Sequence, residues 1–190
     1  MYSDYFDVLR MNEKDRDLFF LRKTFEFARD YSQDKDTQTG AMICDPDFRL
    51  VSFGSNRCNF GDPRRYEGRG ERILFGRPEK YDALVHAESD SHFCASRFGN
   101  PVVGCTIYVT LVPCRPCGSV IINSGIKRCV THDSTWEWYA DALKEDSRVD
   151  WKESCENAVK NLKKSGIEYI SLSEPVGGVE FMFYGKLRRP

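Results

Sequence analysis

The stretch HAESDSHFCASRFGNPVVGCTIYVTLVPCRPC, from His86 to Cys117, decides the fold and the chemistry of this chain. It begins with His86-Ala87-Glu88 and ends with Cys114-Arg115-Pro116-Cys117. One imidazole and two thiolates fill three of the four tetrahedral positions that zinc prefers, which leaves the fourth open to water. That arrangement is typical of a catalytic zinc site, since a structural site has four protein ligands. Glu88 could move protons to and from the bound water.

The residues between the candidate ligands predict where the ligands lie. Residues 102–112 have the composition of a buried strand, and residues 118–124 predict the helix that follows it. Pro113 and Pro116 suit a helix start, where a missing N–H costs little. Because the helix dipole lowers the pKa of a thiol at the N-terminus, we expect Cys114 and Cys117 to be thiolates.

A Cys-x-x-Cys pair by itself also occurs in structural zinc half-sites and in redox pairs, and a lone histidine is commonly a core residue. Here the pair is flanked by Pro113 and preceded by His86-Ala87-Glu88. Together these features form the signature of zinc-dependent nucleobase deaminases, in which the glutamate is the general acid and base and not a ligand. We therefore favour a catalytic site of that type.

Composition limits the remaining possibilities. A chain of 190 residues suits one domain with a sizeable core, and its formal charge of −1 argues against long nucleic acid as the main partner. The chain contains no apolar run of about 18 residues that could span a membrane. Its start, MYSDYFDVLR, does not have the pattern of a secretory signal, so we expect a cytoplasmic protein. Eight scattered cysteines fit free thiols in a reducing compartment, two of them recruited to metal.

The rest of the chain predicts alternating helices and strands after a short arm at 1–13. Apolar positions recur at three and four residues from Asp15 to about Ser32, which predicts a helix, and residues 39–44 and 48–53 predict a hairpin. A helix at 86–97 precedes the strand and helix described above. Strands are then predicted at 128–132 and 167–172, a helix at 151–164, and a possible strand at 179–184 within a C-terminal extension, 175–190. This alternation indicates parallel βαβ units on a sheet that begins as a hairpin.

Residues 54–80 form the least regular segment, which is too long for a simple connection. Between Arg57 and Lys80 it carries seven basic and four acidic residues, a local balance of +3. Guanidinium groups match phosphate oxygens, so an arginine-rich loop could hold a phosphate. A solvated loop with internal ion pairs explains the same composition.

From about residue 15 to residue 172, the chain resembles the cytidine deaminase superfamily, and within it the deoxycytidylate (dCMP) deaminases. The motifs that carry the likeness are residues 37–41 (TQTGA), 54–56 (GSN), 86–88 (HAE), 104–111 (GCTIYVTL), the two zinc cysteines and 121–127 (IINSGIK). Asn56 and His86 are 30 positions apart. An insertion of that length is typical of the deoxycytidylate deaminases and absent from the compact tRNA adenosine deaminases. The resemblance implies one domain with a three-layer α/β/α fold, in which helices cover both faces of a mixed sheet of about five strands.

The resemblance also implies hydrolysis of dCMP to dUMP with release of ammonia. One zinc ion per chain, held by His86, Cys114 and Cys117, would activate water, and Glu88 would pass the proton to the ring nitrogen and then to the departing amine. Contacts to the nucleotide are expected from this insertion and from the motifs, namely Asn56, Ala87, Leu111, Val112, Asp90, Arg57, Arg64 and Arg65. Many relatives are hexamers that respond to dCTP and dTTP, so a homo-oligomer is expected.

The chain departs from the family pattern at two places. Relatives commonly have Gly-Tyr-Asn-Gly where this chain has Gly54-Ser55-Asn56-Arg57, and a Leu-Asn pair where it has Ser89-Asp90. With Arg57 in place of glycine, we expect regulation by dCTP and dTTP to be altered or missing. An acid at Asp90 could change hydrogen bonding or repel phosphate. A 5-substituted dCMP, dCTP or another base therefore stays open as the substrate, as does a catalytically inactive domain that binds a nucleotide.

Other candidate residues favour structural roles. His92 and Cys94 have the pattern of helix residues more than of a second metal site with Cys58, and His132 at a strand end is expected to be structural. The aromatic patch from Trp136 to Tyr139 could close over a base or make a plain hydrophobic contact.

Overall fold

The computed structural model describes residues 7–34, 36–59, 82–145 and 151–190. Its helices are α1 (Glu13–Tyr31), α2 (Ala87–Arg97), α3 (Arg115–Asn123), α4 (Ser134–Glu145) and α5 (Trp151–Lys164). Its strands are β1 (Gly40–Cys44), β2 (Leu50–Ser55), β3 (Arg57–Cys58), β4 (Leu84–Val85), β5 (Thr106–Val109), β6 (Arg128–His132), β7 (Glu168–Leu172), β8 (Phe181–Phe183) and β9 (Lys186–Arg188).

The main sheet has five strands in the order β2-β1-β5-β6-β7. β1 runs antiparallel to β2, which confirms the predicted hairpin. β1 also runs antiparallel to β5, with Ile43 opposite Ile107. The strands β5, β6 and β7 are parallel to one another and are joined by helices, as the predicted βαβ units require. The prediction of a mixed α/β sheet of about five strands is confirmed.

Alternate residues of the central strands point to opposite faces of this sheet, and each face has its own apolar core. Ala41, Ile43 and Ile107 pack on the face covered by α2 and α3. Met42 and Tyr108 pack on the other face, together with apolar side chains of α1, α4 and the C-terminal segment. Because the central strands are buried on both faces, their sequences are almost continuously apolar, and the three-layer architecture follows.

The helix α1 begins where the sequence supplies a cap. The Asn12 side chain accepts a hydrogen bond from the Asp15 amide at 2.9 Å, and the first turn carries acidic residues that complement the helix dipole. Leu21, Phe25 and Ala28 form its fully buried stripe. Val8, in the segment interpreted as an arm, is also buried in the core, whereas residues 1–6 lie outside the described residues.

Three element predictions needed correction. The strand predicted over 102–112 is confined to Thr106–Val109, and the helix after it begins at Arg115. The aromatic patch from Trp136 to Tyr139 lies within α4, which the sequence did not reveal as a helix. The possible strand predicted at 179–184 is confined to β8, which pairs with β9 in a hairpin separate from the main sheet.

The start of the insertion pairs with the residues just before His86. β3 pairs with β4 so that Arg57 is opposite Val85, and the Asn59 amide donates to the Ala83 carbonyl at 3.3 Å. Residues 60–81 lie outside the described residues. In the part of the chain that the structure covers, no helix is long and apolar enough to cross a membrane.

Candidate active site

Two of the three candidate metal ligands stand at the N-caps of helices. His86 is the N-cap of α2, and Cys114 is the N-cap of α3. An N-cap side chain ordinarily accepts a hydrogen bond from its own helix, but neither of these does so. Instead, the two side chains meet, with the Cys114 Sγ 3.4 Å from the His86 Nδ1. The fold therefore brings two helix N-termini to one point.

Cys117 completes the group from the first turn of α3. Its Sγ lies 3.3 Å from the His86 Nδ1, and the ligand atoms of all three residues lie within 4.8 Å of one another. In a tetrahedral zinc site the bonds are about 2.3 Å to sulfur and about 2.0 Å to nitrogen, so the sulfur and the nitrogen lie about 3.5 Å apart. The donor set and its spacing thus fit zinc. Within the described residues, this is the group of histidine, cysteine and acidic side chains whose geometry suits a metal ion.

The two thiols are electrostatically unequal. A hydrogen bond from Cys117 lowers the pKa of Cys114 well below the ordinary value for a thiol, and His86 lowers it further. The same hydrogen bond, together with burial, raises the pKa of Cys117. Ionisation of Cys114 thus opposes ionisation of Cys117. A bound cation would favour both thiolates, since metal binding to thiols releases protons, so the two thiolates expected at the helix N-terminus stay a prediction.

Glu88 lies in the first turn of α2, is only 7% exposed, and lines the cleft beside the candidate ligands. Burial raises the pKa of Glu88 above its usual range, and the charge of Cys114 contributes in the same direction. A carboxyl group whose pKa is raised towards neutrality suits transfer of a proton in both directions. The arrangement of Glu88 can thus serve hydrolytic chemistry.

The position of Glu88 depends on how closely α2 approaches β2. A Cβ added at Gly54 would overlap the backbone of Ala87 and Ser91 and would lie 2.8 Å from the carbonyl carbon of Asp90. Only a residue without a side chain therefore allows this contact. In addition, the Ser52 hydroxyl donates to the Ser91 carbonyl at 2.9 Å.

A cleft opens above the candidate ligands and has two chemically different sides. His86, Glu88, Cys114, Leu111 and Val112, all predicted as site residues, line it. Its polar side consists of Asp34, Thr37, Thr39 and Asn56, and its aromatic side of Tyr139, Trp151, Phe183 and Tyr184. Such a combination of a flat apolar wall and a few polar groups suits an organic ligand with a ring and a polar substituent.

Asn56 is held by the protein on both sides of its amide. Its Oδ1 accepts hydrogen bonds from the Ser32 hydroxyl and, at 3.1 Å, from the Thr39 amide, while its Nδ2 donates to the Thr37 carbonyl at 2.6 Å. These bonds fix the polar side of the cleft. They leave one N–H of Asn56 for the predicted contact with a nucleotide.

The backbone carbonyl of Val112 is likewise occupied. It accepts hydrogen bonds from the Tyr139 hydroxyl at 3.1 Å and from the Cys155 thiol at 3.3 Å. Burial raises the pKa of Tyr139 far above its ordinary value, so this hydroxyl stays a donor. This carbonyl is therefore not available to a base, and the backbone contact that the resemblance implies near Leu111 and Val112 stays a prediction for the other backbone groups there.

Three predicted contact residues lie apart from the described lining of the cleft. Ala87 is buried against β2, and the Asp90 carboxylate accepts a hydrogen bond from the Ser55 amide at 3.3 Å, pointing towards β2. Arg57 lies on β3, at the start of the insertion. Arg64 and Arg65 are outside the described residues, so their role stays a prediction.

Sequence reasoning missed most of the aromatic side. Trp151 is the first residue of α5, and Phe183 and Tyr184 belong to the C-terminal hairpin, at positions far from the zinc motif. Tyr139 was considered within its aromatic patch, while Trp138 of the same patch is buried in the core. A signal for Tyr184 does exist in retrospect, since Tyr184-Gly185 follows an apolar strand as a two-residue turn.

The other histidines have structural partners. His92 Nδ1 lies 2.7 Å from the Glu88 carbonyl, and its Nε2 lies 2.9 Å from the Ser124 hydroxyl, so it joins α2 to the end of α3. His132 Nε2 lies 3.0 Å from the Glu174 carbonyl. None of the eight cysteines forms a disulfide, as predicted.

Comparison with known proteins agrees with this geometry. Residues 14–133, well over half of the chain, match the family model described as the cytidine and deoxycytidylate deaminase zinc-binding region. The chain is 31% identical over 115 residues to the human deoxycytidylate deaminase, and this match covers 59% of the chain and 61% of that protein. It is 40% identical over 63 residues to the deoxycytidylate deaminase of phage T2, covering 32% of the chain and 34% of the relative. The chain thus spans less than two thirds of the length of these relatives.

Solved structures show the same fold. The dCMP deaminase of cyanophage S-TIM5, in complex with dCMP and dUMP, superimposes with a TM-score of 0.56 at 17% identity and covers 86% of this chain and all of that one. The diaminohydroxyphosphoribosylaminopyrimidine deaminase/5-amino-6-(5-phosphoribosylamino)uracil reductase of Thermotoga maritima gives a TM-score of 0.54 at 21% identity, over 82% of this chain and 36% of that one. At these identities the likeness establishes the fold alone.

Proposed function

Because the chain belongs to the cytidine and deoxycytidylate deaminase family, we propose that it is a zinc-dependent hydrolase that converts dCMP to dUMP and ammonia. The observation that carries the proposal is the convergence of His86, Cys114 and Cys117 at one point, with the buried Glu88 beside them in the same cleft. The deoxycytidylate deaminases among the relatives support the choice of substrate.

In this proposal His86, Cys114 and Cys117 hold one zinc ion per chain, which when bound supplies Lewis-acid activation of water at neutral pH. Glu88 would accept a proton from the water as its oxygen bonds to carbon 4, and would deliver that proton to the ring nitrogen of the pyrimidine. It would then carry the second proton of the same oxygen to the amino group, whose bond to carbon 4 breaks as ammonia leaves. The raised pKa of Glu88 supports this double role, since a general acid and base works best when its pKa lies near the working pH.

The aromatic and the polar side of the cleft would bind different parts of the substrate. The aromatic side would exclude water from the ring, which strengthens electrostatic interactions around it. The polar side, fixed by Asn56, would face the sugar, and the insertion that begins at Arg57 would supply the phosphate contacts. The pairing of β3 with β4 supports this assignment, because it places Arg57, at the start of the insertion, opposite Val85, which precedes His86.

The direct test is ammonia release by the zinc-loaded protein from dCMP, 5-methyl-dCMP, dCTP, deoxycytidine and CMP. We expect turnover with the deoxymonophosphates. If deoxycytidine is turned over as fast as dCMP, the phosphate does not contribute to recognition. If none of the five compounds releases ammonia, the choice of base is refuted.

Replacing Glu88 by Gln tests the catalytic role. The amide keeps the size of the side chain but cannot accept the proton, so we expect kcat to fall on the order of 10²–10⁴-fold while zinc stays bound. Kinetics and metal analysis of the same preparation measure the two effects. If the variant keeps full turnover, Glu88 is not the general base and a noncatalytic zinc domain becomes the better hypothesis.

The homo-oligomer implied by the family resemblance is part of the same proposal, as is the altered response to dCTP and dTTP. Light scattering after size-exclusion chromatography measures the first. Assays of dCMP turnover with each triphosphate measure the second.

A further inference from the structure

The C-terminal hairpin ends in a turn that holds an unusual residue. Phe183 pairs with Lys186, so Tyr184 and Gly185 form a two-residue turn, and both have positive φ, 50° and 68°. This is the pattern of a type I′ turn, in which Asn-Gly is the favoured pair. A bulky aromatic residue at positive φ is an outlier that persists only where the surrounding structure requires it.

The strained residue faces the candidate active site. Tyr184 lines the cleft, and its hydroxyl accepts a hydrogen bond of 3.0 Å from the indole N–H of Trp151, which lines the same cleft. The ring of Trp151 has its centroid 6.1 Å from that of the candidate zinc ligand His86. The hydrogen bond thus connects the hairpin to an indole that stands next to the reaction centre.

The hairpin is also fastened to the polar side of the cleft. The Gly185 amide donates to the Asp36 carbonyl at 2.9 Å, and the Gln38 amide donates to the Met182 carbonyl at 2.8 Å. In return, the Met182 amide donates to the side-chain carbonyl of Gln38. These bonds fix the distance between the aromatic wall and the segment that carries Thr37 and Thr39, before any ligand arrives.

We propose that Trp151 and Tyr184 are substrate-binding residues that form the wall against which the flat ring of the base stacks beside Glu88. This rests on the proposed function, since it takes a nucleotide as the ligand. Tyr184 supplies the second ring of the wall and fixes the orientation of the indole through the hydrogen bond. An asparagine would suit the turn better and would lose both contributions, which explains why a strained tyrosine stands there.

The variant Tyr184→Asn distinguishes the role of this side chain in stacking against the base from the role of the residue in the turn. Asparagine tolerates positive φ, so the hairpin should still form, and relief of the strain should offset much of the lost hydrogen bond to Trp151, leaving the variant folded at the assay temperature. Binding of dUMP should nevertheless weaken about tenfold or more, as expected for loss of an aromatic stacking partner. The matched control is Phe48→Asn, because Phe48 also has positive φ, at 63°, in the turn that joins β1 to β2. That turn follows Cys44, at the end of β1 opposite the cleft, so dUMP affinity should not change.

Tryptophan fluorescence locates the ligand. Titration of the zinc-loaded protein with dUMP should quench the emission, and Trp151→Phe should remove most of that quenching. Trp136→Phe should leave it in place, since Trp136 packs on the core outside the described lining of the cleft.

The outcomes distinguish this inference from the proposed function. If dUMP quenches Trp151 but dCMP yields no ammonia, the wall is confirmed and the proposed reaction fails. If dCMP is deaminated and Tyr184→Asn binds dUMP as tightly as the wild type, the inference is overturned and the reaction stands. Quenching that persists in Trp151→Phe, or that is absent from the wild type, also overturns the inference.

Discussion

At the scale of single residues, Glu88 and His92 are buried titratable side chains of α2 with different surroundings. Glu88 faces the cleft, whereas His92, one turn later, faces the interior and contacts the Glu88 carbonyl and Ser124. Burial lowers the pKa of His92, and the hydrogen bond to the Glu88 carbonyl opposes this only in part. The lowered pKa favours the neutral ring, with Nδ1–H donating to the Glu88 carbonyl.

This predicts a contribution of His92 to acid lability. Its folded pKa lies below its ordinary value of 6.5, so in acid the unfolded chain binds a proton that the folded chain resists. The contribution to stability is present above pH 6.5 and is lost as the pH falls through the lowered pKa. We expect His92→Gln to cost about 1 kcal/mol at neutral pH, for one weakened hydrogen bond. The variant should also lose less stability than the wild type on acidification.

Urea midpoints of both proteins at two pH values, one above and one well below 6.5, measure this contribution. Titration of His86 and the site cysteines is common to both proteins and cancels in the difference. Parallel pH dependence of the two proteins would contradict the prediction.

At the scale of elements, the contact between α2 and β2 determines where Glu88 stands. We expect Gly54→Ala to destabilise the protein by about 1–3 kcal/mol, because the added methyl group overlaps helix backbone and not a movable side chain. Because the added methyl group forces α2 and Glu88 to move, activity towards dCMP should fall more than the loss of folded protein explains. Denaturant unfolding and kinetics below the unfolding transition measure the two effects.

Gly99→Ala is the matched control for that variant. Gly99 has φ 69° and open space around the position of a Cβ, so the substitution costs backbone strain without a clash. It should lower stability and leave kcat unchanged. If both variants lose kcat equally, the close packing at Gly54 is not what positions Glu88.

Elements whose signals are local could be predicted from the sequence. The period of α1 and the alternation of the β1–β2 hairpin depend on neighbouring residues, and so does the spacing of the zinc motif. In contrast, α4 was missed because its sequence does not show which of its aromatic residues face the core, where Trp138 contacts Phe181 and Tyr139 contacts Phe183 of the C-terminal hairpin. Tyr184 and His86 are brought together by tertiary packing, which no local pattern encodes.

At the scale of the whole molecule, the predicted zinc site joins parts that the chain separates. His86 begins the helix that covers β2, and Cys114 and Cys117 begin the helix that connects β5 to β6. A zinc ion shared by these two helices would link the hairpin half of the sheet to its parallel half. Because the unfolded chain lacks this site, the binding free energy becomes folding free energy.

Removal of zinc should therefore lower the stability of the entire domain. A ligand at about 100 times its Kd stabilises a folded protein by about 2.7 kcal/mol, so a strong chelator should lower the Tm of the zinc-loaded protein by several degrees. Cys117→Ser should unfold at the lower temperature with or without chelator. Cys155→Ser should respond like the wild type, since Cys155 bonds to the Val112 carbonyl and a hydroxyl can replace its thiol there. A chelator-insensitive Tm in the wild type would contradict the linkage, because a zinc ion held by both helices cannot leave without loosening them.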